Sequence, residues 1–237
     1  MSPDLAGRII LVTGASRGIG AAVACACAAA GATVVLTAKT RGALEEVDDR
    51  IRARGGEAVL VPLDLTKGDQ VDVLGAPLFQ RFRRLDGFVA CAADLGTLTP
   101  ASHLDPPVMA RVMTVNLLAN QRLIRSLEPL LRAAPAGRAV FATDRTQRNA
   151  AFWSAYAASK AALEALVLAW AAELRITPVR VNLIDPGPVA TRLRAQAFPG
   201  EKPASLRQPE DVAPAFLRLL DPALTVTGTI VDAQSGS

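Results

Sequence analysis

The sequence has almost no histidine or tyrosine and little cysteine: among 237 residues, His103 and Tyr156 are single occurrences and there are 3 cysteines. One histidine cannot build a histidine-based metal site, and a Ser-His-Asp triad would depend on a single loop residue. We therefore predict no metal site. Cys25, Cys27 and Cys91 are odd in number and lack ligand-like spacing, which predicts packing residues in a reducing compartment, the cytoplasm.

The sequence also lacks a secretory signal, a membrane span and a block of like charges. Residues 1–4 (MSPD) have neither a basic nor an apolar signal region. A long uncharged run, residues 21–38, is rich in alanine and changes from helical to strand character at Gly31. The net charge of +4 comes from scattered arginines, and the densest group, RFRR at residues 81–84, is short. We expect neither a membrane nor a nucleic acid as partner.

Apolar runs of strand length alternate with segments of helix length along the chain. This order predicts one domain, residues 1–237, of the α/β class, with a parallel sheet covered by helices on both faces. The predicted strands are residues 8–13, 33–37, 58–63, 87–91, 138–143, 179–184 and 225–231.

Two predicted helices, residues 106–132 and 154–175, contain more alanine, leucine and valine than one buried face requires. The excess indicates a second buried face, such as a subunit contact. The later segment, residues 189–208, is interrupted by proline and glycine and has little periodicity. We interpret it as a mobile cover over a site, with an ordinary surface loop as the alternative.

A glycine-rich turn, TGASRGIG at residues 13–20, joins the first strand to an alanine-rich helix. Gly14, Gly18 and Gly20 allow a tight turn and a close approach of a pyrophosphate, whose charge the first N–H groups of the helix can bind. The position at the first strand-to-helix junction predicts a dinucleotide site.

The single tyrosine, Tyr156, lies four residues before Lys160 in a predicted helix, so both side chains share one face. Their ordinary pKa values, ~10 and ~10.4, suit neither group for acid or base work at neutral pH. A neighbouring ammonium favours the phenolate and would lower the pKa of the tyrosine. The alternative is a half-buried tyrosine beside a solvated lysine.

Together, the Gly-x-x-x-Gly-x-Gly turn, Tyr156-x-x-x-Lys160, Asn116, Asp64 and the run DPGPVAT at residues 185–191 resemble the short-chain dehydrogenase/reductase family over essentially the whole length. The resemblance implies a seven-stranded, doubly wound Rossmann-like fold and an oxidoreductase. It also implies a homodimer or homotetramer assembled through the two long helices.

The resemblance gives four residues a catalytic role. Tyr156 would donate the proton, Lys160 would lower its pKa and bind the nicotinamide ribose, and Asn116 would hold a relay water. The alternative for Asn116 is a buried helix residue bonded only to its neighbours. The family pattern has a serine thirteen residues before the tyrosine, and this chain has Thr143 there. Threonine keeps the hydroxyl group of serine, but its branched side chain is more restricted in χ1.

Two further departures from the family pattern weaken the expectation of full activity. Asp144 follows Thr143, and a carboxylate beside a developing oxyanion opposes catalysis unless it points away. The alternative for Asp144 is a solvated loop residue paired with Arg145. Residues 90–93 read ACAA where relatives have Asn-Asn-Ala-Gly.

The charge near the second strand predicts NADP(H) rather than NAD(H). Ala38 stands where NAD-preferring relatives carry aspartate, while Arg17 and Lys39 can reach a 2′-phosphate. The alternative for Arg17 and Lys39 is that both are solvated surface cations. The alternative for Asp64 is that it caps the helix after Thr66. The predicted cofactor-binding residues are Gly14, Ser16, Arg17, Gly18, Ile19, Gly20, Lys39, Asp64, Leu65, Ala92, Tyr156, Lys160, Pro186, Gly187, Val189 and Thr191.

The leading hypothesis is an NADPH-dependent enzyme that interconverts a carbonyl and an alcohol on a small, fairly apolar molecule. The competing hypothesis is an NADP(H)-binding protein with weak or lost turnover that acts as a sensor or regulatory partner. Leu95, Phe152, Trp153 and Phe198 could line the substrate pocket or pack as core and cover residues.

Overall fold

Seven parallel strands form the centre of the computed structural model, which describes residues 3–234. Their order is β3-β2-β1-β4-β5-β6-β7, so the chain winds outward from β1 in one direction and then from β4 in the other. The predicted fold class is confirmed. The strands are β1 Ile9–Thr13, β2 Thr33–Ala38, β3 Glu57–Pro62, β4 Gly87–Ala90, β5 Arg138–Ala142, β6 Arg180–Asp185 and β7 Ile230–Asp232.

Helices cover both faces of the sheet. On one face, small side chains of α1 pack against the sheet with α2 and α9; on the other, Phe88, Phe141 and Trp170 form edge-to-face contacts beneath α6 and α7. No helix within residues 3–234 is both long and apolar enough to cross a membrane. The helices are α1 Gly18–Ala29, α2 Arg41–Arg52, α3 Gly68–Asp72, α4 Gly75–Phe82, α5 Pro106–Met113, α6 Ala119–Ala133, α7 Ser154–Glu173, α8 Arg192–Ala197 and α9 Pro209–Leu220.

The predicted helix at residues 106–132 is helical throughout, but it is not one regular α-helix. A π-helical turn, Thr114–Leu118, separates α5 from α6 and contains Asn116. The wider turn takes the backbone out of the regular bonding pattern, and the Asn120 side chain donates to the Asn116 carbonyl oxygen at 2.8 Å.

The predicted strand at residues 225–231 is too long, because only its last residues join the sheet as β7. Asn182, buried in β6, donates to the Val226 carbonyl oxygen and accepts from both the N–H and the hydroxyl of Thr229. These bonds curl residues 226–229 around one side chain, so the segment cannot lie along the sheet edge.

The predicted cover at residues 189–208 contains regular structure that its sequence pattern did not indicate. Helix α8 begins after Thr191, whose hydroxyl oxygen accepts a hydrogen bond from the Arg194 N–H at 3.1 Å. A 3₁₀ turn, Pro203–Ser205, follows. The six residues of α8 are too few for a periodic signal.

Candidate active site

A cavity of about 600 Å³ lies at the edge of the sheet where the strands end. The winding direction reverses between β1 and β4 at this edge, which is where doubly wound sheets bind nucleotides. The predicted site residues that line the cavity are Gly14, Ser16, Arg17, Gly18, Ile19, Gly20, Lys39, Asp64, Leu65, Ala92, Thr143, Tyr156, Lys160, Pro186, Gly187, Val189 and Thr191.

The glycine turn forms one wall of the cavity, and two of its glycines leave no room for a side chain. Gly14 has a φ of +65°, and a Cβ there would lie 2.8 Å from the Ala92 nitrogen. A Cβ at Gly20 would lie 2.4 Å from the Gly14 carbonyl oxygen. Arg17, at the N-cap of α1, makes no side-chain capping bond, so the first N–H groups of the helix are available to an anion. This cradle fits a pyrophosphate.

A cation and an acid stand where β2 and β3 end. Lys39 Nζ lies 3.0 Å from Asp64 Oδ2, and the Lys39 side chain remains 75% exposed. Hydrogen bonds from Thr66, aided by the Lys39 ammonium, lower the pKa of Asp64 to about 2. Asp64 therefore closes a turn with Thr66 and does not cap α3, whose N-cap residue is Lys67. Arg17 forms no ion pair with any residue between 3 and 234.

Tyr156 and Lys160 lie one turn apart on α7, but they are arranged differently from the sequence-based expectation. The Lys160 Nζ donates to the Ala142 carbonyl oxygen at 2.9 Å and lies 5.7 Å from the centre of the Tyr156 ring. Burial, with the negative charges of Asp144 and Asp185, raises the pKa of Tyr156. The expectation that Lys160 brings the pKa of Tyr156 below its ordinary value is therefore wrong. Burial also lowers the pKa of Lys160.

The Thr143 hydroxyl is bonded to a residue outside the predicted set. It donates to Oε1 of Glu164 at 2.7 Å, and Glu164 also pairs with Arg148. Asp144 lines the cavity, and its Oδ1 accepts from the N–H and the hydroxyl of Thr146. Asp144 is thus bonded to Thr146, whereas the sequence suggested a pairing with Arg145. The Arg145 N–H donates instead to Asp185.

An apolar cluster borders the reaction end of the cavity. Trp153 packs edge-on against the Tyr156 ring, with 5.7 Å between ring centres, and its other neighbour is Phe198 at 5.6 Å. Phe198 follows α8, and the Arg194 guanidinium lies 3.7 Å from the centre of its ring. The segment predicted as a cover thus contacts the side chains around Tyr156, including Leu95.

The model of the short chain dehydrogenase family matches residues 8–202. The chain belongs to this family. It is 38% identical over 234 residues to the Escherichia coli K12 protein named "Uncharacterized oxidoreductase YciK", covering 97% of this chain and 92% of that one. A solved short chain dehydrogenase from Salmonella enterica serovar Typhi superposes with a TM-score of 0.94 at 37% identity, covering 99% of this chain and 98% of that one. A structure from Escherichia coli CFT073, complexed with NADPH, has a TM-score of 0.93 at 40% identity and covers 98% of each chain.

One predicted catalytic residue of this short chain dehydrogenase does not line the cavity. Asn116 is fully buried in the π-helical turn. Its side chain accepts from the Asp94 N–H and donates to the Asp94 carbonyl oxygen and to Ser159 Oγ, at 2.8 to 2.9 Å. Ser159 in turn donates to the Tyr156 carbonyl oxygen. These contacts match the alternative reading, a buried asparagine that bonds its neighbours.

The sequence analysis missed Glu164 and Asp185. Glu164 lies four residues after Lys160, just as Lys160 lies four residues after Tyr156. This spacing could have indicated that Glu164 shares a helix face with the two site residues. Asp185 ends β6 and accepts from the N–H groups of Arg145 and Gly187, which joins the loop after β5 to the turn after β6. Its position in the DPGPVAT run was visible, but its partners on another strand were not.

Proposed function

We propose that this short chain dehydrogenase reduces the carbonyl group of a small, fairly apolar molecule with NADPH, and catalyses the reverse reaction on the alcohol. The observation that carries the proposal is that Tyr156 and Lys160 line the same cavity as the glycine turn. A proton donor and a nicotinamide site thereby share one space, as hydride transfer to a carbonyl requires.

Residues of this chain would bind each part of the dinucleotide. The glycine turn and the start of α1 would hold the pyrophosphate, Asp64 and Leu65 the adenine end, and residues 186–191 the nicotinamide end. When bound, the reduced nicotinamide supplies the hydride. Arg17 and Lys39 support a preference for NADPH, because no acid stands at the end of β2 to grip a free 2′-hydroxyl. The NADPH bound in the Escherichia coli CFT073 relative agrees with this preference.

The charge around Tyr156 supports a role as proton donor. A phenol is already protonated at neutral pH at its ordinary pKa of ~10, and burial with two carboxylates raises the pKa of Tyr156 further, so the donating form is retained at higher pH as well. A protonated phenol donates a hydrogen bond to a carbonyl oxygen and passes its proton as that oxygen becomes negative. Leu95, Trp153 and Phe198 form an apolar border near the phenol, which favours substrates with apolar groups next to the carbonyl.

The experiment is NADPH oxidation by the purified protein with a panel of ketones, aldehydes and quinones. We expect turnover of at least one compound and a loss of about a hundredfold or more in kcat for Tyr156→Phe, within the range of general acid catalysis. The NADPH Kd of the variant should stay within about threefold, since the ring is retained. Turnover that survives Tyr156→Phe would rule out the assigned donor.

A second candidate function is NADP(H) binding without turnover, in a sensor or regulatory protein. The observation that favours it is the Thr143 hydroxyl, whose proton is donated to Glu164 rather than left free for a substrate oxygen. Micromolar NADPH binding with no oxidation of NADPH across the panel would support this function and exclude the first.

We further propose a homodimer or homotetramer in the cytoplasm. Helix α7 exposes Ala158, Ala161 and Ala165 along one face, and Leu118 in the π-helical turn is 50% exposed. A second copy could cover these apolar groups. The cysteines are free thiols, and burial raises the pKa of Cys91 to about 12, which suits unreactive packing residues in a reducing compartment.

A further inference from the structure

Glu164 is a buried carboxylate with both oxygens engaged. It lies on α7 four residues after Lys160 and eight after Tyr156, so the three side chains follow one face of the helix. Its side chain is 5% exposed. Oε1 accepts the Thr143 hydroxyl and Oε2 pairs with the Arg148 guanidinium. A buried carboxylate is costly unless it is paired in this way, so the arrangement is strongly specified.

The bond to Glu164 determines what Thr143 can offer to a bound molecule. A hydroxyl has one proton and two lone pairs, and the single proton of Thr143 is directed to Oε1. Thr143 lines the cavity together with Tyr156, so only its lone pairs remain for a substrate oxygen. The branched side chain has few χ1 states, and this hydrogen bond selects one of them.

The pairing with Arg148 extends the influence of Glu164 to the loop between β5 and α7. This loop, residues 143–153, carries Asp144 and Trp153, both of which border the reaction end of the site. The side chains of residues 145, 146, 148 and 149 are exposed, so the loop has little core packing of its own. The Glu164 carboxylate therefore bonds both the first residue of the loop, Thr143, and a residue in its middle, Arg148.

We propose that Glu164 is a positioning residue that makes Thr143 a hydrogen-bond acceptor toward the substrate and holds loop 143–153 over the cavity. The inference rests on the proposed function. In the bound complex an alcohol can donate its single proton to the Thr143 oxygen, and it passes that proton to Tyr156 when it is oxidised, whereas a carbonyl oxygen has no proton to donate. Thr143 therefore contributes to binding of the alcohol, and Tyr156 is left as the side-chain donor to the carbonyl oxygen.

The test measures kcat and KM in both directions for Glu164→Gln, Thr143→Val and the double variant. Glu164→Gln should lower kcat/KM about tenfold or more in each direction and raise KM for the alcohol more than KM for the carbonyl. Because Glu164 acts through Thr143, the double variant should lose far less than the product of the two separate losses. Glu128→Gln is the matched control, since Glu128 accepts from Trp170 Nε1 and pairs with Arg132 away from the cavity. It should change kcat/KM by less than twofold.

A second readout does not need turnover. Hydrogen exchange of residues 145–152 should be at least tenfold faster in Glu164→Gln than in the wild type, and unchanged in Glu128→Gln. Unchanged exchange, equal changes in the two KM values, or fully multiplicative losses in the double variant would overturn the proposal. A wild type that oxidises no NADPH while Glu164→Gln still loosens the loop would instead contradict the proposed function and leave the structural link between Glu164 and the loop standing.

Discussion

At the scale of single residues, the pKa of one phenol, Tyr156, is set by its burial and by the charges near it. Asp144 and Asp185 both raise the pKa of Tyr156, and both also favour the charged form of Lys160 against its burial. Asp144 is the second residue of loop 143–153; its carboxylate accepts from Thr146 and acts on the phenol through its charge. Its charge therefore favours the protonated, donating form of Tyr156.

Asp144→Asn should move the alkaline limb of the pH profile for carbonyl reduction to lower pH. The substitution removes a negative charge that disfavours the phenolate, so the pKa of Tyr156 falls and the donating form is lost earlier as pH rises. The measurement is kcat/KM for the carbonyl from pH 8 to the highest pH at which the fold persists, with the exposed Asp69→Asn in α3 as control. A limb that stays in place or moves upward would show that Tyr156 ionisation does not set it.

Arg17 and Lys39 should determine the preference between the two dinucleotides. Replacing both with alanine should raise the Kd of NADPH about tenfold to a hundredfold, since the Arg17 bond alone contributes roughly 1.5–3 kcal/mol and the exposed Lys39, already paired with Asp64, adds little. The Kd of NADH should change by less than about threefold. Fluorescence titration measures both, with Arg54→Ala in the exposed turn after α2 as control. Equal losses for NADPH and NADH would refute a 2′-phosphate contact.

At the scale of elements, the π-helical turn connects the two long helices to the site. Asn116 satisfies both backbone groups of Asp94 and binds Ser159, which holds the carbonyl of Tyr156. The Asp94 carboxylate also accepts from the Arg111 side chain in α5. The turn thus fixes the loop after β4 and the start of α7 relative to each other.

Asn116→Leu should mainly destabilise the fold. It leaves the Asp94 N–H, the Asp94 carbonyl and the Ser159 hydroxyl without their partner, at a cost of about 2–4 kcal/mol. For a chain of this size the expected fall in Tm is roughly 5–15 °C, measured by thermal unfolding. Gln121→Leu, exposed on α6, should change Tm by about 2 °C or less. If Asn116→Leu keeps its Tm but loses kcat, the catalytic role implied by the family resemblance is the correct one.

The same elements show what could be predicted from the sequence and what could not. Apolar runs predicted the seven strands, because a strand buried on both faces of a parallel sheet is apolar throughout. The start of β7 was misjudged because the side chain of Asn182, 44 to 47 residues earlier, bonds Val226 and Thr229 in the segment before it. The cavity wall was predictable from the glycine turn and Tyr156-x-x-x-Lys160, which are local motifs. The Thr143–Glu164 bond joins two elements and has no local pattern.

At the scale of the whole molecule, α7 has two different faces. One presents Tyr156, Lys160 and Glu164 to the interior, and the other exposes small apolar side chains at Ala158, Ala161 and Ala165. If a second copy covers the exposed face, assembly and the active site share one helix.

Light scattering at micromolar concentration should therefore give the mass of a dimer or tetramer. Ala165→Arg should reduce it to a monomer, because a long charged side chain in a close-packed helix contact is both bulky and unpaired. Ala76→Arg, exposed on α4, is the matched control and should leave the mass unchanged. A wild type that elutes as a monomer would contradict the proposed assembly.

Trp153 packs between the rings of Tyr156 and Phe198 and gives the protein an intrinsic fluorescent reporter. The only other tryptophan in the sequence, Trp170, lies in the core against Phe141, donates from Nε1 to Glu128 and does not line the cavity. Of the two tryptophans, Trp153 is therefore the one whose emission should respond to a molecule bound beside Tyr156 and the end of α8. Such binding should be measurable in real time without an attached dye.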